Sequence, residues 1–374
     1  MSGRLADIEA ELQQDLDQVC AWADSKRLAV APAKCSVTFF TPDKAREANV
    51  HPQIKVDDKV VPLEKNPRIL GVIFDPHLHF HAHARKKAQE GRQKLRILRT
   101  LAGSAWGCSK ETVMRTYKSH IESAMFYAPA VWSPNASPSA KNELQKVVNS
   151  AARIATGCHS STPVEDLVME AQVLPAENRL DMLSAQFLAS ALRPEHPSHA
   201  VVTAPGGPRL MKASLYSKHY PTVSAAAPSG ITSNTEYRRV LKEIHTGAVA
   251  DAVSKNNFSR ILGRVRPDID PSESTLSRAE RTTLAQLRSG ECQQLNDYLT
   301  KVGRSNSALC PECRFQRHSV AHLFRCDAVE TNLSLEDLWT NPVDVITFLK
   351  TLPSFSRLAS SDAPAPRPPP EPPP

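Results

Sequence analysis

The residues best suited to chemistry stand near the end of the chain: Cys310-Pro-Glu-Cys313, eight further residues, then His322-Leu-Phe-Arg-Cys326. The first two cysteines are separated by two residues, a spacing that suits a tight turn aiming both thiolates at one point. His322 and Cys326 are four apart, so on a helix they share one face a turn apart. Three soft thiolates and one imidazole satisfy a closed, tetrahedral, structural Zn²⁺ and leave no position open for a catalytic water. His318 is a rival ligand, because four residues separate it from Cys313. A fourth ligand at knuckle spacing would then fall on Leu323, which cannot bind a metal. The set is therefore read as Cys310, Cys313, His322 and Cys326, a zinc knuckle over 310–326. Val320, Leu323 and Phe324 supply its small hydrophobic core, and Arg314, Arg317 and Arg325 could contact nucleic acid.

A second cluster is basic. Arg85, Lys86, Lys87, Arg92, Lys94, Arg96 and Arg99 fall on one helical stretch against Glu90 alone. Such a helix can hold phosphate backbone, or it can be the solvated face around an apolar stripe of Ala84, Ala88, Leu95, Leu98 and Ala102. His77, His79, His81 and His83 alternate, but Pro76 and the approaching helix argue against a regular strand that would align them on a metal. Asp57-Asp58 reads as a hairpin tip and not as a metal site. Trp106, Tyr127 and Trp132 read as core, and Cys292 as buried. Gly206-Gly207-Pro208 lacks the strand–helix context of a phosphate loop.

The elements that position these groups are mostly helical. Leu5, Ile8, Leu12, Leu16, Val19, Trp22 and Ala23 recur at helical spacing over 5–28, and Pro32 ends that pattern. Ser36–Phe40 reads as a strand, 53–62 as a hairpin and Arg68–Phe74 as an apolar strand. Helices follow over 82–99, 110–127, 139–156, 163–171 and 175–192, with Gly157 stopping the third. Periodicity vanishes from 194 to 234, where Pro, Ala, Ser and Gly accumulate. It resumes at 236–253 and 277–301, with short helices at 335–339 and 343–352.

At 374 residues the chain is long enough for two domains with sizeable cores, and Lys plus Arg exceed Asp plus Glu by 7. That excess favours a polyanionic partner. The N-terminus has no apolar signal core, and no apolar run approaches the length of a membrane span, so no membrane association is expected. The cysteines lack the density of a secreted scaffold, which points to an intracellular, reducing compartment.

Several stretches in order resemble the C-terminal part of reverse transcriptases from Jockey-like non-LTR retrotransposons. Leu16-Asp-Gln-Val-Cys-Ala-Trp-Ala23 and Leu28-Ala-Val-Ala-Pro-Ala-Lys34-Cys35 look like the helix and lysine-bearing turn after the polymerase active site. Ile69-Leu-Gly-Val-Ile-Phe-Asp75 is similar to the hairpin leading into the thumb, and His83 matches the family's histidine there. Tyr127-Ala-Pro-Ala-Val-Trp132, Ala152-Arg-Ile-Ala-Thr-Gly157, Thr162-Pro163, Leu174-Pro175 and Arg179 continue the likeness. Leu284-Ala-Gln-Leu-Arg-Ser-Gly290, the knuckle and Leu338-Trp339 complete it. The family's catalytic aspartates belong to a block upstream of these stretches, so the chain alone is expected to lack a polymerase site.

The residue patterns and the resemblance together give a mainly α fold with a small α+β N-terminal part. Residues 1–81 would be a partial reverse-transcriptase palm and hairpin, and 82–193 a helical thumb-like region. A Pro/Ala/Ser-rich linker would occupy 194–234, a helical region with the zinc knuckle 235–352, and a disordered proline-rich tail 353–374. The expected function is binding of RNA and DNA through the basic helix, Lys34 and the knuckle, where Phe315 or Phe324 would stack on bases. The expected location is the nucleus or the cytoplasm, with the nucleus implied by the resemblance. Three other readings remain: a zinc-containing protein–protein adaptor whose tail meets polyproline-reading domains, a polymerase part acting with other chains, and an N-terminal part that cannot fold without partner strands.

Overall fold

A computed structural model describes residues 2–41, 43, 51–204 and 214–359. The part of the expected linker at 205–213, including Gly206-Gly207-Pro208, and the expected tail at 360–374 lie outside the described residues. The protein is mainly helical with a few short strands. Two units interleave distant segments: Met1–Lys86, Ala128–Lys141 and Leu183–Val240 form the first, and Lys87–Tyr127, Asn142–Met182 and Leu241–Pro374 the second. Among the described residues no helix is long and apolar enough to cross a membrane.

In the first unit, helix α1 (Ser2–Ser25) packs Leu16, Cys20 and Ala23 inward. It ends three residues short of the expected Leu28, well before Pro32. Arg27 takes a left-handed φ of 57°, and the Leu28 amide closes the last turn on the Ala23 carbonyl at 2.9 Å. Strands β1 (Lys55–Val56) and β2 (Lys59–Val60) pair antiparallel, and Asp57 and Asp58 form the tip with positive φ at both positions. That is the geometry whose twist matches a two-residue hairpin. Gln13 clamps the hairpin to α1, accepting from the Lys55 amide at 2.8 Å and donating to its carbonyl at 2.9 Å.

Two expected strands take other forms. Ser36–Phe40 contributes a single bridge, Val37 to Leu63. Arg68–Phe74 is broken into β3 (Arg68–Ile69) and β4 (Val72–Ile73), because Leu70 and Gly71 turn with φ of 46° and 89°. The glycine permits the turn, and Leu70 is left 87% exposed at its tip. The second hairpin is tied to the next helix, α2 (His81–Leu101). The Ile73 amide donates to Nδ1 of His83, whose ring packs edge-on against buried Trp132 at 5.1 Å.

The second unit contains α3 (Lys110–Thr116), which continues through a wider π turn at Tyr117–Glu122. It also holds most of α4 (Pro138–Thr156), which stops where Gly157 takes a φ of 73°. Gly91 lets α2 approach closely: a Cβ there would lie 3.1 Å from Val147 and 3.3 Å from Met125. Helices α5 (Val164–Ala171) and α6 (Ala176–Ala191) follow as expected.

Residues 194–234 do not run as unbroken linker. Helix α7 (Leu215–Ala226) forms there, started by a reciprocal capping box between Ser214 and Ser217. Its buried Val223 and Ala226 explain why it folds despite Pro221. Helix α8 (Asn234–Asn256) comes next. Strands β5 (Phe258–Ser259) and β6 (Arg264–Val265) then pair as an unforeseen small hairpin.

The expected helix over 277–301 is two helices. Helix α9 (Arg278–Arg288) begins at a Ser277–Glu280 capping box, and Gly290, with φ of 76°, separates it from α10 (Asn296–Lys301). Residues 353–359 are also not tail. They form two short turns, and Phe355 is fully buried with Leu352, Leu349 and Trp339.

Candidate metal centre and the basic helix

The cluster begins with a narrow loop. Leu309 and Arg317 bridge antiparallel, and the Cys310 amide donates to the Gln316 carbonyl at 2.8 Å. Within it the Arg314 amide donates to the Cys310 carbonyl at 2.9 Å, and Arg314 takes a φ of 60° to complete the turn. This folds Cys310 and Cys313 onto one side. The opposing pair comes from α11 (Val320–Leu323) and the residues just after it, with Ser319 capping the His322 amide.

The ligand atoms of Cys310, Cys313, His322 and Cys326 all lie within 4.8 Å of one another and can hold a metal ion. Cys310 Sγ stands 3.9 Å from Cys326 Sγ, and Cys313 Sγ 3.3 Å from His322 Nε2. The backbone amides of Gln316 and Phe315 hydrogen-bond to Cys313 and pull its pKa down to about 6, so it is ready to bind as thiolate. Burial pushes the Cys326 thiol up to about 11, with the neighbouring Cys310 adding to the rise. A cation between the thiolates removes that penalty by pairing with the charge.

His318 stands outside the four-atom cluster. It is buried, and its Nδ1 accepts from the Asn296 amide at 3.2 Å, so the geometry selects His322 over the rival at 318. Gln316 is a functional residue that spacing did not reveal. Its side-chain oxygen lies 3.0 Å from Nδ1 of His322, an arrangement that places the proton on Nδ1 and frees Nε2 toward the sulfurs. Val320, Leu323 and Phe324 are buried, but their core is larger than a knuckle's own, extending to Leu287, Trp339 and Leu349. Of the two rings expected to stack, Phe324 is buried and packs 6.1 Å from Phe348, while Phe315 is 88% exposed. Arg314 and Arg325 are exposed, and Arg317 is exposed but paired with Asp297.

On α2 the apolar stripe is buried as read, including Ala84, Ala88, Leu95 and Leu98. Arg85, Lys86, Arg96 and Arg99 point to solvent. Lys87 pairs with Glu90 at 3.4 Å, Arg92 with Glu143 at 2.6 Å, and Lys94 donates to the His120 carbonyl at 3.2 Å. Lys34 is exposed on a single tight turn, Pro32–Lys34. Trp132 is core as expected, whereas Tyr127 is about half exposed.

Sequence reading missed a buried ion network in the second unit. Arg288 on α9 meets Glu170 at 3.3 Å and Glu273 at 2.5 Å, and donates twice to the Leu338 carbonyl. Lys110 reaches the same two glutamates at 3.3 and 3.6 Å. Burial alone would raise the Glu170 carboxyl, but Lys110 and Arg288 outweigh it and hold its pKa at about 2. The partners lie too far apart in the chain for any spacing rule to find them. Comparison with protein-family models, curated proteins and solved structures finds no match.

Proposed function

We propose that the protein binds RNA or DNA, combining a structural Zn²⁺ knuckle with a basic helix, and is related to the part of Jockey-like reverse transcriptases that follows the polymerase active site. Its N-terminal hairpins would then correspond to the edge of the palm and its helices to the thumb. The observation that carries this reading is the convergence of Cys310, Cys313, His322 and Cys326.

In a tetrahedral zinc site, bond lengths of about 2.3 Å to sulfur and about 2.0–2.1 Å to nitrogen put ligands roughly 3.6–3.8 Å apart. The two separations of 3.9 and 3.3 Å bracket that range. The thiolate-rich donor set favours zinc over Mg²⁺ or Ca²⁺, which prefer oxygen. Four protein ligands make the ion structural. It would fix the loop that displays Arg314 and Phe315, presenting a cation and a stacking ring together, a combination suited to single strands. Arg85, Lys86, Arg96 and Arg99 would contact phosphates without reading sequence.

The test is the zinc content of the purified chain together with RNA and DNA binding across salt, for wild type and Cys313→Ser. One zinc per chain, lost in the variant along with binding that falls steeply with salt, is the expected result. A metal-free wild type would overturn the knuckle. Zinc without nucleic-acid binding would leave a structural metal and favour a protein–protein adaptor.

A further inference from the structure

A cavity of about 320 Å³ in the second unit opens where the last turns of α2 and α4 meet α9 and the loop after it. Its volume sits at the low end of ligand pockets, which run from about 300 to 1,000 Å³. Arg99, Arg153 and His159 line it, and no carboxylate does. The smaller cavity of about 180 Å³ beside α3 is different: there Lys110, Arg278 and Arg281 are offset by Glu170 and Glu273. That second space has carboxylates facing its cations. The first has none.

Two helix C-termini would ordinarily make such a place unfavourable for an anion. Here Arg278 offsets the effect by donating to the carbonyls of Ile154 and Ala155 at 2.7 and 3.1 Å, the last turn of α4. Arg153 is held rigid from one side. Its Nε donates to the His159 carbonyl at 3.1 Å, and its Nη2 to those of Ser160 and Thr162 at 3.3 and 3.4 Å. These bonds leave Nη1 for a ligand. Arg99 stands exposed at the rim.

An imidazole held in a fixed plane and an exposed amide line the same space. His159 stacks on Tyr298 at 5.2 Å with the rings 14° from parallel, which fixes its plane. Its Nε2 is closed off from solvent without a hydrogen-bond partner of ordinary geometry, although Gln286 lies close enough to favour its charged form. Burial works the other way and lowers the ring's pKa, leaving a neutral imidazole at pH 7. The nearby charges acting on it are Glu291, itself paired with Lys301, and Arg304. Gln293 lies exposed at the edge of the cavity, and an amide can exchange two hydrogen bonds with a base.

We infer that this cavity is a nucleotide site, in which Arg99 and Arg153 hold a phosphate while Gln293 meets the base edge. The inference rests on the nucleic-acid-binding reading above and adds that one nucleotide of the strand is held individually.

The test uses the full chain and AMP as the probe, with adenosine and inorganic phosphate as controls, in titration calorimetry. AMP should bind at least about tenfold more tightly than adenosine, and Arg99→Ala should weaken AMP by about tenfold. Gln293→Ala should weaken AMP but leave inorganic phosphate unchanged. Both substituted residues are exposed, so the fold is retained. Arg115→Ala, an exposed change on α3 outside the cavity lining, should leave AMP binding intact. Equal binding of AMP and adenosine, or equal losses in Arg115→Ala and Arg99→Ala, overturns the site. A short single strand titrated into the same preparations separates the two ideas. Strand binding without AMP binding overturns the nucleotide site alone, and loss of both overturns the nucleic-acid reading with it.

Discussion

The N-terminal hairpin region and the C-terminal region with the Cys/His cluster reach order by different physics. The first sets a small buried cluster, Ile54, Val56 and Val61, against one face of α1. Each of its strands is two residues long, and Ile8, Leu12, Val19, Trp22 and Leu28 remain exposed beside that core. The second gathers fourteen buried residues, Trp339 and Phe355 among them, and adds the Arg288 network and the four clustered Cys and His side chains. Isolated two-stranded hairpins are marginal in water. The contrast teaches that stability in this chain is unevenly distributed: the C-terminal region should set the global transition, and the N-terminal region should open locally below it.

The largest expected effect comes from removing the metal. Structural zinc sites contribute on the order of 10 kcal/mol of apparent binding energy in finger peptides, and that energy is folding energy. Chelation of the purified chain should therefore lower the thermal midpoint steeply and expose Trp339 to quenchers. Proteolysis within α1 should change far less. An unchanged midpoint would remove the proposed source of the difference between the regions.

Breaking the ion network comes next. Arg288→Ala leaves Glu170 and Glu273 with one cation fewer in a buried site, and should cost about 3–5 kcal/mol in urea unfolding. Acid probes the same network. Because the folded-state pKa of Glu170 is held near 2, below its ordinary value of 4.5, its contribution is fully present above 4.5. It is lost as the pH falls from 4.5 toward 2. Wild-type stability should decline through that window, and the decline should be shallower in Glu170→Gln.

The N-terminal region should give the smallest global effects. Val56→Ala removes buried methyl groups and should cost about 1–3 kcal/mol of local stability. It should be read as faster cleavage near α1, with the global midpoint almost unmoved. Trp22→Ser, at a ring 58% exposed, should stay within about 0.5 kcal/mol of wild type. A large global loss from either change would show that the two regions unfold together.

Much of this molecule follows from local rules, and those parts were legible from residues alone. The apolar period places α2, α4, α5 and α6, because a helix repeats its face every three to four residues whatever surrounds it. The Cys-x-x-Cys and His-x-x-x-Cys spacings pick out the four side chains that converge for the same reason, since both pairs are set by one turn of backbone. What tertiary structure alone decided lies at longer range. It divided the chain into interleaved units, buried Phe355 where composition suggested tail, and folded α7 inside a Pro-rich stretch. It also set His322 among the three cysteines with His318 outside that cluster, and buried Phe324 while leaving Phe315 exposed. Arg288 finds Glu170, 118 residues away, only after the helices have packed. Local spacing carries no information about such partners, because their pairing is fixed by desolvation and packing rather than by backbone period.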